Sequence, residues 1–263
     1  MSSTRAVLEH RLIRGPADAP WVVMVHGAGL SSEIWRPQLD AYRGVFNLLL
    51  PDLHVDTPET DADVEVTFVA VSRSLLDLLD RHGIRQAHFV GLSLGCLVIR
   101  DLAQRAPERV RSLVLAGAVG RLKPVARLLI VLAHALKRVV PYMWLYRFYA
   151  RILLPGRDHA ASRRAVVGQA ERLDRAEFIR WLAVTRELPE LLRGFEASDP
   201  GVPTLYVMGD QDHMFLPGVR AVADRHASAS LEVIEQCGHV VTVQCPGEFN
   251  RRSLSFLRSL PHQ

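Results

Sequence analysis

Apolar positions along this chain follow two alternating periods. Trp21-Val22-Val23-Met24-Val25 is an unbroken apolar run ending at His26-Gly27, and Val45 to Leu50 is another, stopped by Pro51. Short apolar runs bounded by Gly or Pro predict buried strands. Ala87-His88-Phe89-Val90, Val110 to Ala116, Thr204 to Met208 and Leu231 to Ile234 read the same way. Between these runs the apolar residues recur every three or four positions. Ile34 to Tyr42 reads as a helix. Phe68, Val71, Leu75 and Leu79 share one helical face, with Gly83 as the C-terminal cap. The helix from Leu94 must stop before Pro107, because the residue preceding a proline avoids helical geometry. A last helix covers Glu248 to Leu257. This alternation predicts an α/β fold: a mostly parallel sheet with helices on both faces.

Residues 121 to 195 interrupt the alternation. The segment is helical in pattern throughout, and a connection this long between two strands carries structure of its own. The expected organisation is a core of residues 1–120 and 196–263, with 121–195 inserted as a helical cap over the active-site edge. There is no internal repeat and no low-complexity tract.

Composition narrows the class. The 263 residues, 49% apolar and 23% charged, suit a globular protein with one full core. The longest apolar tract, Val125 to Val140, contains Arg127, His134, Lys137 and Arg138, whereas a membrane span needs about 20 mostly apolar residues. No transmembrane segment is expected. Cys96, Cys237 and Cys245 are odd in number and lack metal-ligand spacing, and the N-terminal residues carry no secretory pattern. A reduced, cytoplasmic setting is therefore expected, with no metal site.

Charge is divided unevenly. Residues 121–195 carry 15 Lys and Arg against 6 Asp and Glu, while the rest of the chain carries 17 against 22. The basic character thus belongs to the expected cap. Its arginines, among them Arg163, Arg164, Arg172, Arg175, Arg180, Arg186 and Arg193, admit two readings. One is a solvated face. The other is contact with an anionic partner: a phosphopantetheine-bearing carrier protein, a coenzyme A thioester or an acidic membrane surface. No basic motif is interleaved with base-stacking aromatics, which argues against nucleic acid.

The candidate chemistry centres on Gly91-Leu92-Ser93-Leu94-Gly95, placed between a strand and a helix. A Gly-x-Ser-x-Gly in that context is a nucleophile elbow, a turn so tight that small residues must flank the serine. A serine hydroxyl needs a base, and the base needs an orienting acid. His239 follows the last predicted strand at a glycine and lies after the serine and the acid in sequence. Two carboxylates follow Met208, in Gly209-Asp210-Gln211-Asp212. Asp212 has enough loop behind it to turn towards His239; Asp210, at the strand end, is expected to bond backbone amides. The other place for an acid, after Gly117, reads Ala118-Val119-Gly120 and is empty. The oxyanion would be held by the amides of Leu94 and of Ala28, in the turn His26-Gly27-Ala28-Gly29.

With these pieces assembled, the chain resembles the α/β-hydrolase superfamily across nearly its full length. Trp35, Ala106-Pro107-Glu108-Arg109-Val110, Pro246 and Phe249 add to the likeness. The resemblance implies an eight-stranded, mostly parallel sheet, no metal or organic cofactor, and catalysis through an acyl-enzyme. There are two departures. Cys96 stands where such chains often carry a second glycine, and the loop Leu53-His54-Val55-Asp56-Thr57-Pro58 has no glycine. His54 in that loop is read as a solvated residue. A serine at the elbow, rather than the carboxylate of dehalogenases and epoxide hydrolases, points to acyl transfer.

The expected activity is cleavage of a small-molecule ester with a fairly apolar acyl group. Alternatives are carrier-protein- or coenzyme-A-linked (thio)esters, carbon–carbon bond hydrolysis, and a ligand-binding signalling protein on the same fold. The nearly wholly apolar stretch Tyr142 to Leu154, with Arg147 and Arg151 as its polar stripe, admits two readings, the core of the cap or, in part, the lining of an acyl pocket, and both can hold for different faces. Trp144, Met214, Phe215 and Val240 are the expected pocket residues.

Overall fold

The computed structural model describes residues 8–53, 67–122, 124–137, 139–172 and 175–261. Seven strands form one sheet: β1 (His10–Ile13), β2 (Trp21–Val25), β3 (Asn47–Pro51), β4 (Ala87–Leu92), β5 (Val110–Ala116), β6 (Thr204–Gly209) and β7 (Ala229–Ile234). Their order is β1-β3-β2-β4-β5-β6-β7. β1 runs antiparallel to β3, and all other pairs are parallel. The resemblance implies eight strands, so the count among the described residues is one lower. β1 and β7 are the edge strands of the sheet. β1 itself gives no signal in the sequence pattern, because His10-Arg11-Leu12-Ile13 is short and only half-buried.

The helices in chain order begin with α1 (Arg36–Arg43), α2 (Phe68–Arg81) and α3 (Leu94–Arg105), which connect the first strands. Next come α4 (Pro124–Leu136), α5 (Tyr142–Leu153), α6 (Ala160–Ala170), α7 (Arg175–Val184) and α8 (Leu188–Ala197), all between β5 and β6. The chain closes with α9 (Leu216–Ala223), α10 (Val241–Gln244) and α11 (Pro246–Ser259). None of the helices among the described residues is long and apolar enough to cross a membrane.

Because successive residues of a strand point to opposite faces, each strand feeds two cores. Val23, Val25, Phe89, Leu113 and Leu115 pack with α2 and α3, while Val22, Met24, Val90, Val114 and Val207 pack with Trp35, Tyr42 and Phe249 on the other face. Both faces are therefore buried, which is why these strands read as continuous apolar runs. α2 ends at Arg81 and is closed off by Gly83: the amide of Ile84 donates to the Leu79 carbonyl and that of Gly83 to the Asp80 carbonyl. α3 ends at Arg105, ahead of Pro107.

The five inserted helices are anchored where they rejoin the sheet. The guanidinium of Arg100, buried on α3, donates to the Tyr206 hydroxyl and to the carbonyls of Phe195 and Ser198. A buried charge is tolerated when hydrogen bonds replace its water. Here those bonds fix the end of α8 against α3 and β6.

Candidate active site

β4 ends at Leu92, and the chain reverses at Ser93 with φ 52° and ψ −114°, outside the helical and extended regions. Such strain in a non-glycine residue persists only where its surroundings hold it. The Ser93 amide donates to the Ala116 carbonyl at 2.9 Å, and α3 begins at the next residue. Two residues on, a Cβ at Gly95 would lie 2.3 Å from the Val25 carbonyl oxygen, so only glycine lets α3 sit this close to the end of β2. At the departure Cys96, the buried thiol donates to the Gly91 and Ala116 carbonyls at 3.2 and 3.4 Å. Burial pushes this thiol far up, so it stays protonated.

The structure brings Ser93, His239 and Asp212 together. His239 Nε2 lies 2.9 Å from Ser93 Oγ, and His239 Nδ1 lies 2.8 Å from Asp212 Oδ2. With a carboxylate as its acceptor, Nδ1 carries the proton, which leaves Nε2 free to accept from the serine. His239 and Asp212 are both buried, and the Phe215 ring lies against the imidazole with centroids 5.2 Å apart.

The loops carrying acid and base are pinned to each other. The Phe215 amide donates to Asp212 Oδ1 at 3.1 Å, which orients the carboxylate. Asp210 accepts from the amide of Cys237 at 3.1 Å, a backbone bond of the kind expected for it. The Gly238 amide donates to Gln244 Oε1 at 2.8 Å, and the buried ring of His159, just ahead of α6, reaches the same oxygen through Nδ1 at 3.1 Å. The base loop is thus tied to α10 and to the inserted helices.

Opposite the elbow, His26 is fully buried and braces the turn Gly27–Gly29. Its Nδ1 donates to the Gly27 carbonyl at 2.8 Å and its Nε2 accepts from the Leu53 amide at 2.9 Å. Ala28 and Leu94 both line the cavity beside Ser93.

That cavity measures about 380 Å³ and is almost wholly apolar. Ser93 and His239 line it together with α4 (Ala126, Leu129, Ile130, Ala133), α5 (Tyr146, Tyr149) and α7 (Phe178, Trp181, Leu182). Burial, with the nearby charge of Asp212 adding to it, pushes the Tyr149 hydroxyl up to about 12; burial also pushes the Tyr146 hydroxyl up. Both phenols are therefore neutral donors at neutral pH. The Tyr146 hydroxyl lies 3.4 Å from the Ala28 carbonyl oxygen.

Of the expected pocket residues, Phe215 and Val240 line the cavity. Trp144 and Met214 do not, and the expectation for both is corrected. Trp144 is 70% exposed. It lies three residues before Arg147 and seven before Arg151, and so shares the solvent face of α5 that those arginines mark. Met214 packs half-buried on the cluster that includes α2 and α3. His54 lies outside the described residues. The walls supplied by α4 and α7 have no counterpart among the sequence-based candidates. Their signal is present, however: Phe178, Trp181 and Leu182 stand at helical spacing, and α4 is apolar on nearly every side. Among the described residues, no group of three or more His, Cys, Asp or Glu is placed to hold a metal ion.

The profile of the family described as "Alpha/beta hydrolase family" matches residues 22–252. The chain is 25% identical to carboxylesterase YbfK of Bacillus subtilis, over 97% of this chain and 86% of that protein. It is 31% identical to the putative carbamate hydrolase RutD of Stutzerimonas stutzeri, over 91% of this chain and 92% of the relative. Among solved structures, a hydrolase from Pseudomonas aeruginosa superposes with a TM-score of 0.78 at 25% identity, covering 95% of this chain and 94% of that one. The chain belongs to the α/β-hydrolase family and is a hydrolase.

Proposed function

We propose that this hydrolase cleaves carboxylic esters of apolar acyl groups through an acyl-enzyme, with Ser93 as nucleophile, His239 as general base and acid, and Asp212 as its orienting partner. The observation that carries the reading is the 2.9 Å approach of His239 Nε2 to Ser93 Oγ at the floor of an apolar cavity. Ser93 Oγ attacks the ester carbonyl as its proton passes to His239 Nε2. The imidazolium formed is stabilised by Asp212 through Nδ1–H. The tetrahedral oxygen, now negative, is held by the amides of Ala28 and Leu94 at the positive end of α3. Collapse of the intermediate expels the alkoxide, which takes the proton from His239. Water then repeats the sequence on the acyl-enzyme, with His239 as its base, and frees the acid.

Two features support an acyl ester as the substrate. The walls present few polar groups besides the site itself, which suits a hydrocarbon chain. The volume falls within the range of about 300–1,000 Å³ typical of small-molecule sites. The similarity to a carboxylesterase points the same way. The similarity to a putative carbamate hydrolase fits the same chemistry at a carbonyl with a heteroatom leaving group.

The test is a chain-length series of p-nitrophenyl esters with wild type and Ser93→Ala side by side. A clear chain-length optimum is expected in the wild type, with a loss of about 10⁴-fold or more in the variant. Turnover that survives Ser93→Ala would overturn the mechanism. Activity on carbamates but on no ester would overturn the substrate class.

A further inference from the structure

α4 is apolar on two sides at once. Its inner face supplies Ala126, Leu129, Ile130 and Ala133 to the cavity. Its outer face carries Val125, Leu128, Leu132 and Leu136, spaced by three, four and four residues as one continuous stripe, with Val131 beside it. All five are exposed, Leu128 by 57% and Val131 by 63%. A helix apolar all round is ordinarily buried. Further along the chain Val139, 77% exposed, and Trp144 and Phe148, neighbours at i,i+4 on α5, are exposed as well. Leu132, Leu136, Phe148 and Tyr149 are exposed and also line the cavity, so the apolar surface runs over the rim and into the pocket.

Charge selects the occupant. The apolar face lies within residues 121–195, where Lys and Arg outnumber Asp and Glu by 15 to 6. Arg127 on α4 and Arg147 and Arg151 on α5 are exposed next to it, Arg147 with Glu171 at 2.7 Å. A second copy of this chain docked face to face would bring two basic surfaces together. A polar rim of arginines around Leu, Val, Phe and Trp instead matches the zone between lipid headgroups and acyl chains, where aromatic rings and long cationic side chains both find partners.

We propose that this face is a lipid-contact surface, on which the protein docks peripherally against an anionic phospholipid bilayer with the cavity mouth towards the acyl chains. An apolar substrate would then enter the cavity from the bilayer without crossing water. That last step rests on the ester-hydrolase reading above; the docking does not.

The experiment is co-sedimentation with vesicles of phosphatidylglycerol and phosphatidylcholine in equal parts, beside vesicles of phosphatidylcholine alone. Ser93→Ala protein is used so that turnover plays no part. Preferential association with the anionic vesicles, weakened by added salt, is the expected result. The double variant Leu128→Ser/Trp144→Ser, in the wild-type background, should hydrolyse a short soluble ester as the wild type does. Placed in the Ser93→Ala protein, the same two changes should lower vesicle association by about tenfold or more. Equal association with both vesicle types would overturn the anionic preference. No association, or a dimer that the double variant converts to monomer while vesicle binding is unchanged, would overturn the proposal.

Discussion

At Gly117 the backbone sits at φ +50°, and a Cβ there would lie 2.1 Å from the carbonyl oxygen of His239. His239 is therefore located by a contact that no side chain can share. Gly117→Ala has two costs: a left-handed backbone that alanine dislikes, and a displaced His239 loop. We expect the variant to lose about 2–4 kcal/mol of stability in denaturant unfolding. Where it remains folded, kcat should fall far more than KM changes, since the walls supplied by α4, α5 and α7 are untouched. Wild-type kcat in a folded Gly117→Ala protein would show that the loop has slack. At this scale the sequence was most legible where chemistry forces a residue type. The elbow turn, the glycine before His239 and the pairing of His239 with Asp212 rather than Asp210 all follow from turn geometry and chain order. Gly117 does not, because its constraint is a contact with a loop 122 residues further on.

Among the elements, the strands and the helices around the sheet were readable because burial imposes a clear period on each. The inserted helices were readable as helices but not in orientation. In α5 nearly every position is apolar, so the pattern gives no phase except through Arg147 and Arg151, and Trp144 falls on the face they mark. α4 has even less polar marking, and its double role appears only when the cavity on one side and solvent on the other are seen together. The inward face offers a direct test of the acyl pocket. Ala133 is a small residue of α4 lining the cavity. Ala133→Phe should fill part of it and shift the chain-length optimum towards shorter esters, with activity on acetyl esters largely kept. An unshifted optimum would place the acyl chain elsewhere.

For the whole molecule, a carboxylate outside the cavity lining is expected to contribute to stability towards acid. Asp199, just after α8, accepts from the Gly201 amide at 2.9 Å, from the Ser228 amide at 3.1 Å and from the Ser228 hydroxyl. These bonds tie the lead-in of β6 to that of β7. Burial pushes the other way, yet the bonds from Ser228 and Gly201 hold this carboxyl at about 2. An unfolded aspartate titrates at about 3.9. The depressed value therefore adds stability that is fully present above about pH 4 and is lost as pH falls towards 2. Asp199→Asn should melt below the wild type at pH 7, with the gap narrowing in melts taken from pH 4 down to pH 3. A gap independent of pH would show that shape rather than charge is at stake there.

The order of parts along the chain also sets a timetable for the site. Ser93 and His239 are 146 residues apart in sequence, and all five inserted helices are made between them. At synthesis rates of about 5–20 residues per second, the elbow precedes its base by roughly 7–30 s. Through that interval the growing chain carries a serine with neither base nor acid. Asp212 and His239, its proposed acid and base, come only with the loops after β6 and β7. On the proposed mechanism, a chain cut ahead of β6 would carry Ser93 without the two partners that activate it, and would leave esters intact.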